Sequence, residues 1–187
     1  MIDQTIIESF VPPVYSKTTR NSESYRATYR YCASRLGDIL ALHRVSINDQ
    51  QTLRLIRDDM DNLLRRFHGY AIKENIGAHY REQDRETDCD FEHLIPASRI
   101  RDMMIAGVLT VDQALNCPTV TLSRSKHRAL KEAGWGSHTP SVWLPFQRYQ
   151  QVFTANFETY DGAVISVRNW TLHQHYERFG WLIDGMR

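Results

Sequence analysis

The segment of residues 88–134 constrains the fold more than any other part of the chain. Residues 90–94 are predicted to form a strand that Pro96 ends, and residues 119–123 are predicted to form a second strand. A helix over residues 126–133 follows the second strand almost directly. The order of strand, excursion, strand and helix predicts a ββα arrangement within this segment.

Four polar residues lie at the critical points of this segment. Glu92 and His93 place a carboxylate beside an imidazole, directly before the apolar residues 94–96. Asn116 lies in the excursion, and His127 lies near the start of the predicted helix, 34 residues after His93. Carboxylate and imidazole groups bind metals and transfer protons at neutral pH, so the segment contains a candidate catalytic site.

This pattern resembles the HNH nucleases, also called the ββα-metal or His-Me finger superfamily. In that family an acid and a His precede two aliphatic residues and often Pro, and then come Asn, a short strand and a helix with the last His. Residues 92–96, Asn116 and residues 119–127 match this pattern in order, over about a quarter of the chain. The resemblance implies an α+β fold, in which a mainly helical chain surrounds a ββα-metal core, and an endonuclease that hydrolyses phosphodiester bonds of DNA.

The resemblance also implies a role for each residue. His93 is the expected general base, and Asn116 is expected to orient it through an amide hydrogen bond. Glu92 and His127 are the expected ligands of one divalent metal ion. Such mixed ligands suit Mg²⁺ or Mn²⁺ first, with Zn²⁺ or Ni²⁺ as further candidates.

The acidic ligand has alternatives within the first strand. The family usually has Asp where this chain has Glu92, and Asp88 and Asp90 share the strand face of Glu92 by alternation. Neighbouring residues 92 and 93 point to opposite faces of a regular strand, so both reach one site only if the strand ends there. Pro96 makes such an end plausible.

A run of cations surrounds His127. It contains four bases and no acid, and these are candidates for contacts with DNA phosphates: Arg124, Lys126, Arg128 and Lys131. Helix geometry spreads them around the axis, so not all can contact one strand. The alternative is a solvated helix face, and the formal net charge of +1 is low for a protein that grips nucleic acid over its whole surface.

Composition limits the class of protein. A chain of 187 residues is long enough for one real core. Three cysteines without a CxxC pair argue against a disulfide framework and a zinc ribbon, and suit a reducing cytoplasm. No apolar run approaches the roughly 18 residues of a membrane span. We therefore expect a cytoplasmic protein that does not contact membranes. The resemblance to the HNH nucleases, rather than the composition, implies a bacterium or a phage-infected host cell.

The rest of the chain divides into two flanking regions. Residues 1–80 are predicted to be irregular up to residue 20 and then to form a helical hairpin, with helices over residues 23–43 and 48–75. Residues 81–134 hold the ββα core. Residues 135–187 are rich in aromatic residues, end in a helix and pack on the core, so that the three regions form one unit. The histidines at positions 43, 68 and 79 are interpreted as structural.

Two other functions fit the same residues. The chain could be a nucleic-acid-binding or interaction protein that has the ββα scaffold without catalysis, or a ribonuclease on that scaffold. A homodimer is a candidate assembly, since a double-strand cut by an enzyme with one site usually needs two copies.

Overall fold

A computed structural model describes residues 23–187, so the predicted irregular segment of residues 1–20 lies outside the described part. The fold is α+β, mainly helical, with one small sheet. The helices are α1 (Glu23–Val45), α2 (Gln50–Phe67), α3 (Lys73–Ile76), α4 (Ala97–Ile105), α5 (Val111–Leu115), α6 (Arg124–Glu132), α7 (Gln147–Gln150) and α8 (Leu172–Asp184). The strands are β1 (Tyr80–Glu82), β2 (Cys89–His93), β3 (Thr119–Ser123), β4 (Phe157–Thr159) and β5 (Val164–Ile165).

Helices α1 and α2 form the expected hairpin. The apolar stripe of α1, from Tyr25 to Ile39, is buried against the apolar stripe of α2. Asp49 caps α2, because its carboxylate accepts hydrogen bonds from the backbone amides of Gln51 and Thr52. A single π-helical turn, His68–Ile72, separates α2 from α3. One extra residue per turn rotates the side chains that follow, and such turns often occur at functional sites.

The sheet has five strands in the order β2-β3-β1-β4-β5. Strands β2 and β3 are antiparallel, with Glu92 opposite Val120 and His93 opposite Thr119. Strand β1 lies parallel to β3 and antiparallel to β4. The β2 strand is therefore an edge strand, with one side open to an incoming ligand.

Strand β1 was not among the predicted strands, because its sequence is polar. Glu82 is nevertheless fully buried. Its carboxylate accepts hydrogen bonds from the backbone amide and the hydroxyl of Ser123, and it forms an ion pair with Lys126. Buried carboxylates need such partners, and these lie 41 and 44 residues further along the chain, beyond any local pattern.

The predicted ββα arrangement forms. Helix α6 follows β3 without a loop and packs against both β2 and β3. Gly134, with φ of 81°, closes the helix in the left-handed region that glycine adopts without strain. The pairing of β2 with β3 and the packing of α6 on both strands thus bring residues 90–92 close to residues 124–127.

The C-terminal region joins both parts of the core. Helix α8 is longer than predicted and continues past Gly180 to Asp184. Phe179 packs with the sheet, whereas Leu182 and Ile183 pack with the helical hairpin. Burial of these side chains outweighs the cost of about 1 kcal/mol for a glycine inside a helix. Across residues 23–187, no helix has the length and apolar character needed to cross a membrane.

Candidate metal and catalytic site

Glu92 and His127 meet on one face of the β2–β3 hairpin. The Oε2 atom of Glu92 lies 2.8 Å from Nε2 of His127. On the other side of the same ring, Nδ1 of His127 lies 2.7 Å from Oδ2 of Asp90. Alternation along β2 places both acids on the face that α6 covers, so the helix inserts its histidine between them.

The contact with Asp90 fixes the position of one proton on the His127 ring. A carboxylate only accepts hydrogen bonds, so the Asp90 contact places a proton on Nδ1 of His127. The hydrogen bond from His127 lowers the pKa of the Asp90 carboxyl below its usual value. In the neutral ring, the lone pair of Nε2 then faces the Glu92 carboxylate. Two acceptor atoms at 2.8 Å require either a second proton or a cation between them.

The geometry fits a metal ion. Two ligand atoms at right angles around an octahedral Mg²⁺ ion, with bonds of about 2.1 Å, stand about 3 Å apart. The separation of Glu92 Oε2 and His127 Nε2 is close to this value, so small movements suffice for both to bind one ion. In the described part of the chain, no group of three or more His, Cys, Asp or Glu side chains is placed to bind a metal. The site therefore offers two ligands.

The alternative acids take other positions. Asp90 contacts the far ring nitrogen of His127 and so orients the ligand rather than completing the pair. Asp88 forms an ion pair with Arg124 at 2.7 Å. Glu92 is thus the acid whose free oxygen faces His127.

Arg148 holds the other oxygen of Glu92. Its guanidinium is fully buried, and Nη2 donates to Glu92 Oε1 at 2.5 Å and to the carbonyl oxygen of His93. Its Nη1 donates to the carbonyl oxygens of Trp135 and Gly136. Sequence reasoning missed this residue, because it lies 56 residues after Glu92 in a region without a motif.

His93 lies against His68 rather than against the Glu92–His127 pair. The Nε2 atom of His93 is 2.8 Å from Nδ1 of His68, and Nε2 of His68 is 2.9 Å from the carbonyl oxygen of Leu115. That carbonyl only accepts, so His68 donates from Nε2 and accepts at Nδ1 from the Nε2–H of His93. The Nδ1 atom of His93 then carries a lone pair, and no residue among 23–187 donates a hydrogen bond to it.

Burial keeps both rings neutral. Desolvation lowers the pKa of His68 to about 4 and the pKa of His93 well below its usual value. His68, interpreted from sequence as structural, therefore sets the tautomer of His93. The π-helical turn that begins at His68 was not predictable from the apolar periodicity of α2.

The structure divides the predicted cluster between two faces. Strand β2 remains paired through His93, so Glu92 and His93 point to opposite faces. Glu92 and His127 are together, and His93 is next to them along the backbone but has no side-chain contact with either within residues 23–187. Strand β2 is the edge strand of the sheet and ends at His93.

Asn116 has a different partner from the one expected. Its Oδ1 accepts a hydrogen bond from Nε2 of His79 at 3.1 Å, and its Nδ2 donates to the carbonyl oxygen of Phe179 at 2.9 Å. Only 2% of Asn116 is exposed. The expectation that Asn116 orients His93 is therefore wrong, and Asn116 instead connects the excursion between β2 and β3 to α8.

The four cations of α6 differ in their availability. Arg124 pairs with Asp88 and with Asp90, and Lys126 pairs with the buried Glu82. Arg128 and Lys131 are exposed and have no ion pair within the described residues. They lie three residues apart and so occupy neighbouring positions on the helix surface. These two side chains are free to contact an external phosphate.

Two fully buried histidines make the fold sensitive to acid. His175 donates from Nε2 to the carbonyl oxygen of Asn116 and accepts at Nδ1 from the Tyr80 hydroxyl. Burial lowers its pKa to about 3, and that of His68 to about 4. In the unfolded chain both rings titrate near 6.5. Below about pH 6.5 the unfolded chain therefore binds protons that the native chain does not, and stability falls as the pH decreases towards 4.

We expect each of these two histidines to lower the free energy of unfolding by roughly 2 kcal/mol between pH 7 and pH 5. His175→Gln removes one titrating ring and so reduces the pH-dependent loss by roughly 2 kcal/mol, whereas the buried rings of His68, His79 and His93 continue to contribute. Urea unfolding at both pH values measures the difference. His173→Gln is the matched control, because the His173 side chain is 82% exposed on the same helix. Equal pH-dependent losses in His175→Gln and wild type would contradict this assignment.

Comparison with known proteins identifies no relative of this chain. No protein-family model matches the chain, and neither the curated proteins nor the solved structures include a significant match.

Proposed function

We propose that the protein is a metal-dependent endonuclease that hydrolyses phosphodiester bonds of DNA. The proposal depends chiefly on one observation, the 2.8 Å approach of Glu92 Oε2 to His127 Nε2, two acceptor atoms that a cation would join. Asp90 fixes the His127 ring and Arg148 fixes the Glu92 carboxylate, so the pair is held in place from both sides. A bound divalent ion supplies charge relief for the phosphate and the leaving oxygen.

His93 is the proposed general base. Its ring is neutral, its Nε2–H is held by His68, and the lone pair on Nδ1 can accept the proton of an attacking water. The edge position of β2 allows one phosphodiester to contact both faces of the strand, and so to meet Glu92 and His93 together. His68 is a positioning residue on this account.

Arg128 and Lys131 are the proposed phosphate contacts, since they are the exposed cations of α6 without an internal ion pair in the described part of the chain. Two protein ligands leave most of the coordination sphere to water and phosphate oxygens, which suits Mg²⁺ or Mn²⁺. Zn²⁺ and Ni²⁺ remain candidates because His127 supplies nitrogen. A homodimer would provide the two sites that a double-strand cut requires.

A second function is supported by the same contacts. A proton rather than a metal ion could lie between His127 and Glu92. In that case a continuous series of ion pairs runs from Asp90 through His127 and Glu92 to Arg148. Such a chain needs no metal and would belong to a nucleic-acid-binding protein without catalysis. A divalent ion competes with that proton, so metal-dependent activity separates the two functions.

The test is conversion of supercoiled plasmid to nicked or linear forms with Mg²⁺, Mn²⁺ or EDTA. We expect cleavage by the wild type with metal and none with EDTA. We expect His93→Ala to lower the rate about 100-fold or more, because general bases contribute about 10²–10⁴-fold. His173→Ala, which alters an exposed histidine, is the control. Absence of cleavage by the folded wild type with either metal would contradict the proposal and favour the binding protein.

A further inference from the structure

A cavity of about 310 Å³ lies between α7 and β4, and residues 153–155 and 167–168 complete its lining. Four aromatic rings contribute to its walls, namely those of Phe146, Tyr149, Phe153 and Phe157. Phe153 is the only one of these four that is partly exposed, and so it is the ring that an entering group would meet. The rim is polar and includes the exposed Arg168, which has no ion pair within the described residues.

Two separate contacts place this cavity beside the candidate metal site. The Tyr149 hydroxyl accepts a hydrogen bond at 3.1 Å from Nη2 of Arg148, the nitrogen that also binds Glu92. On the opposite side, the Nζ atom of Lys126 lies 5.8 Å from the centre of the Phe153 ring. Lys126 directly precedes His127 on α6, so each ligand of the proposed metal is connected to an aromatic wall residue of the cavity through one intervening residue.

We propose that this cavity binds an unpaired nucleobase of the DNA next to the phosphodiester that is cleaved. Aromatic side chains stack on bases of any sequence, and cations at the rim contact the flanking phosphates. Arg168 at the rim supplies such a charge. The inference rests on the proposed function and specifies its substrate, which is DNA with a single-stranded or flipped-out nucleotide.

The size and walls of the cavity favour a single base over a duplex. Its volume is at the small end of the range for small-molecule sites, which is about 300–1,000 Å³. Within a duplex, a base is covered on both faces by its neighbours and paired at its edge. It must therefore leave the stack to reach Phe153, and this costs least where the base is already unpaired.

Binding of a labelled strand of twelve thymidines, measured by fluorescence anisotropy in EDTA, tests the inference without cleavage. Two further ligands are compared with it, a fully abasic strand of the same length and a duplex containing the same strand. We expect the wild type to bind the thymidine strand at least about tenfold more tightly than the abasic strand or the duplex, because base stacking on an aromatic ring has an effect of this size.

Phe153→Leu keeps an apolar side chain and removes the ring, so we expect it to abolish the preference over the abasic strand. Trp143→Leu is the control, because Trp143 is an exposed aromatic residue, 57% accessible, outside the cavity. It should keep the preference. Thermal unfolding and circular dichroism of Phe153→Leu establish that the variant is folded.

The inference is overturned if the wild type binds the abasic strand or the duplex as tightly as the thymidine strand, or if folded Phe153→Leu keeps the preference. The outcome is separable from that of the proposed function. A base preference that depends on Phe153, without plasmid cleavage, would retain the cavity as a base-binding site and reject hydrolysis. Metal-dependent cleavage without this base preference would support hydrolysis and reject the cavity as a base-binding site.

Discussion

Replacing Glu92 by Gln is expected to lower the rate of metal-dependent DNA cleavage at least about 100-fold. The amide keeps the shape of the side chain and can still accept from Arg148, but it removes the negative charge that faces His127. Hard cations such as Mg²⁺ need an anionic oxygen here, since the site offers only one other protein ligand. His127→Ala is expected to produce a loss of the same order, because it removes that second ligand.

Initial rates of plasmid nicking in Mn²⁺ measure both losses. Glu132→Gln and His173→Ala are the matched controls, because both residues are exposed and each removes the same type of group. The controls should cleave within about twofold of the wild type, as expected for surface substitutions. Glu92→Gln or His127→Ala with wild-type rates would show that these two residues do not hold the metal.

Replacing Arg148 by Met is expected to lower the free energy of unfolding by about 3–5 kcal/mol, because breaking a buried ion pair leaves one charge without its partner. Arg148 is fully buried and donates to Glu92 and to three backbone carbonyls, those of His93, Trp135 and Gly136. A typical domain has only about 5–15 kcal/mol of stability, so the loss is a large fraction of the total.

Urea unfolding at pH 7 measures the effect. Arg99→Met serves as control, since Arg99 is exposed and has no ion pair among the described residues, and it should change stability by no more than about 0.5 kcal/mol. Arg148→Lys should be intermediate, because one ammonium group cannot reach all of these acceptors. Equal unfolding midpoints for Arg148→Met and wild type would contradict the central position assigned to this residue.

The elements that local patterns determine were predictable. The helices of the predicted hairpin and strand β3 at residues 119–123 depend on neighbours within a few residues, and the structure has them as expected. Strand β1 and the π-helical turn depend on contacts made elsewhere. Glu82 is buried only because Ser123 and Lys126 reach it, and no local pattern contains that information.

The candidate site, like the fold, was predictable only where it depends on local sequence. The family pattern predicts that Glu92 and His127 bind the same metal ion, and the structure brings these two side chains together. The family resemblance predicts that Asn116 orients His93, but the Asn116 side chain is instead hydrogen-bonded to His79. The residues that hold the site, His68 and Arg148, come from a helix before it and a helix after it, so their roles depend on tertiary packing.

Binding of Mn²⁺, followed by the loss of the free-ion signal in electron paramagnetic resonance, tests the central claim most directly. We expect the wild type to bind one Mn²⁺ ion per chain. We expect Glu92→Gln and His127→Ala each to weaken this binding about tenfold or more, with Glu132→Gln unchanged. A folded wild-type chain that binds no Mn²⁺ at millimolar concentration, or that binds it equally well without Glu92 and His127, would contradict the account.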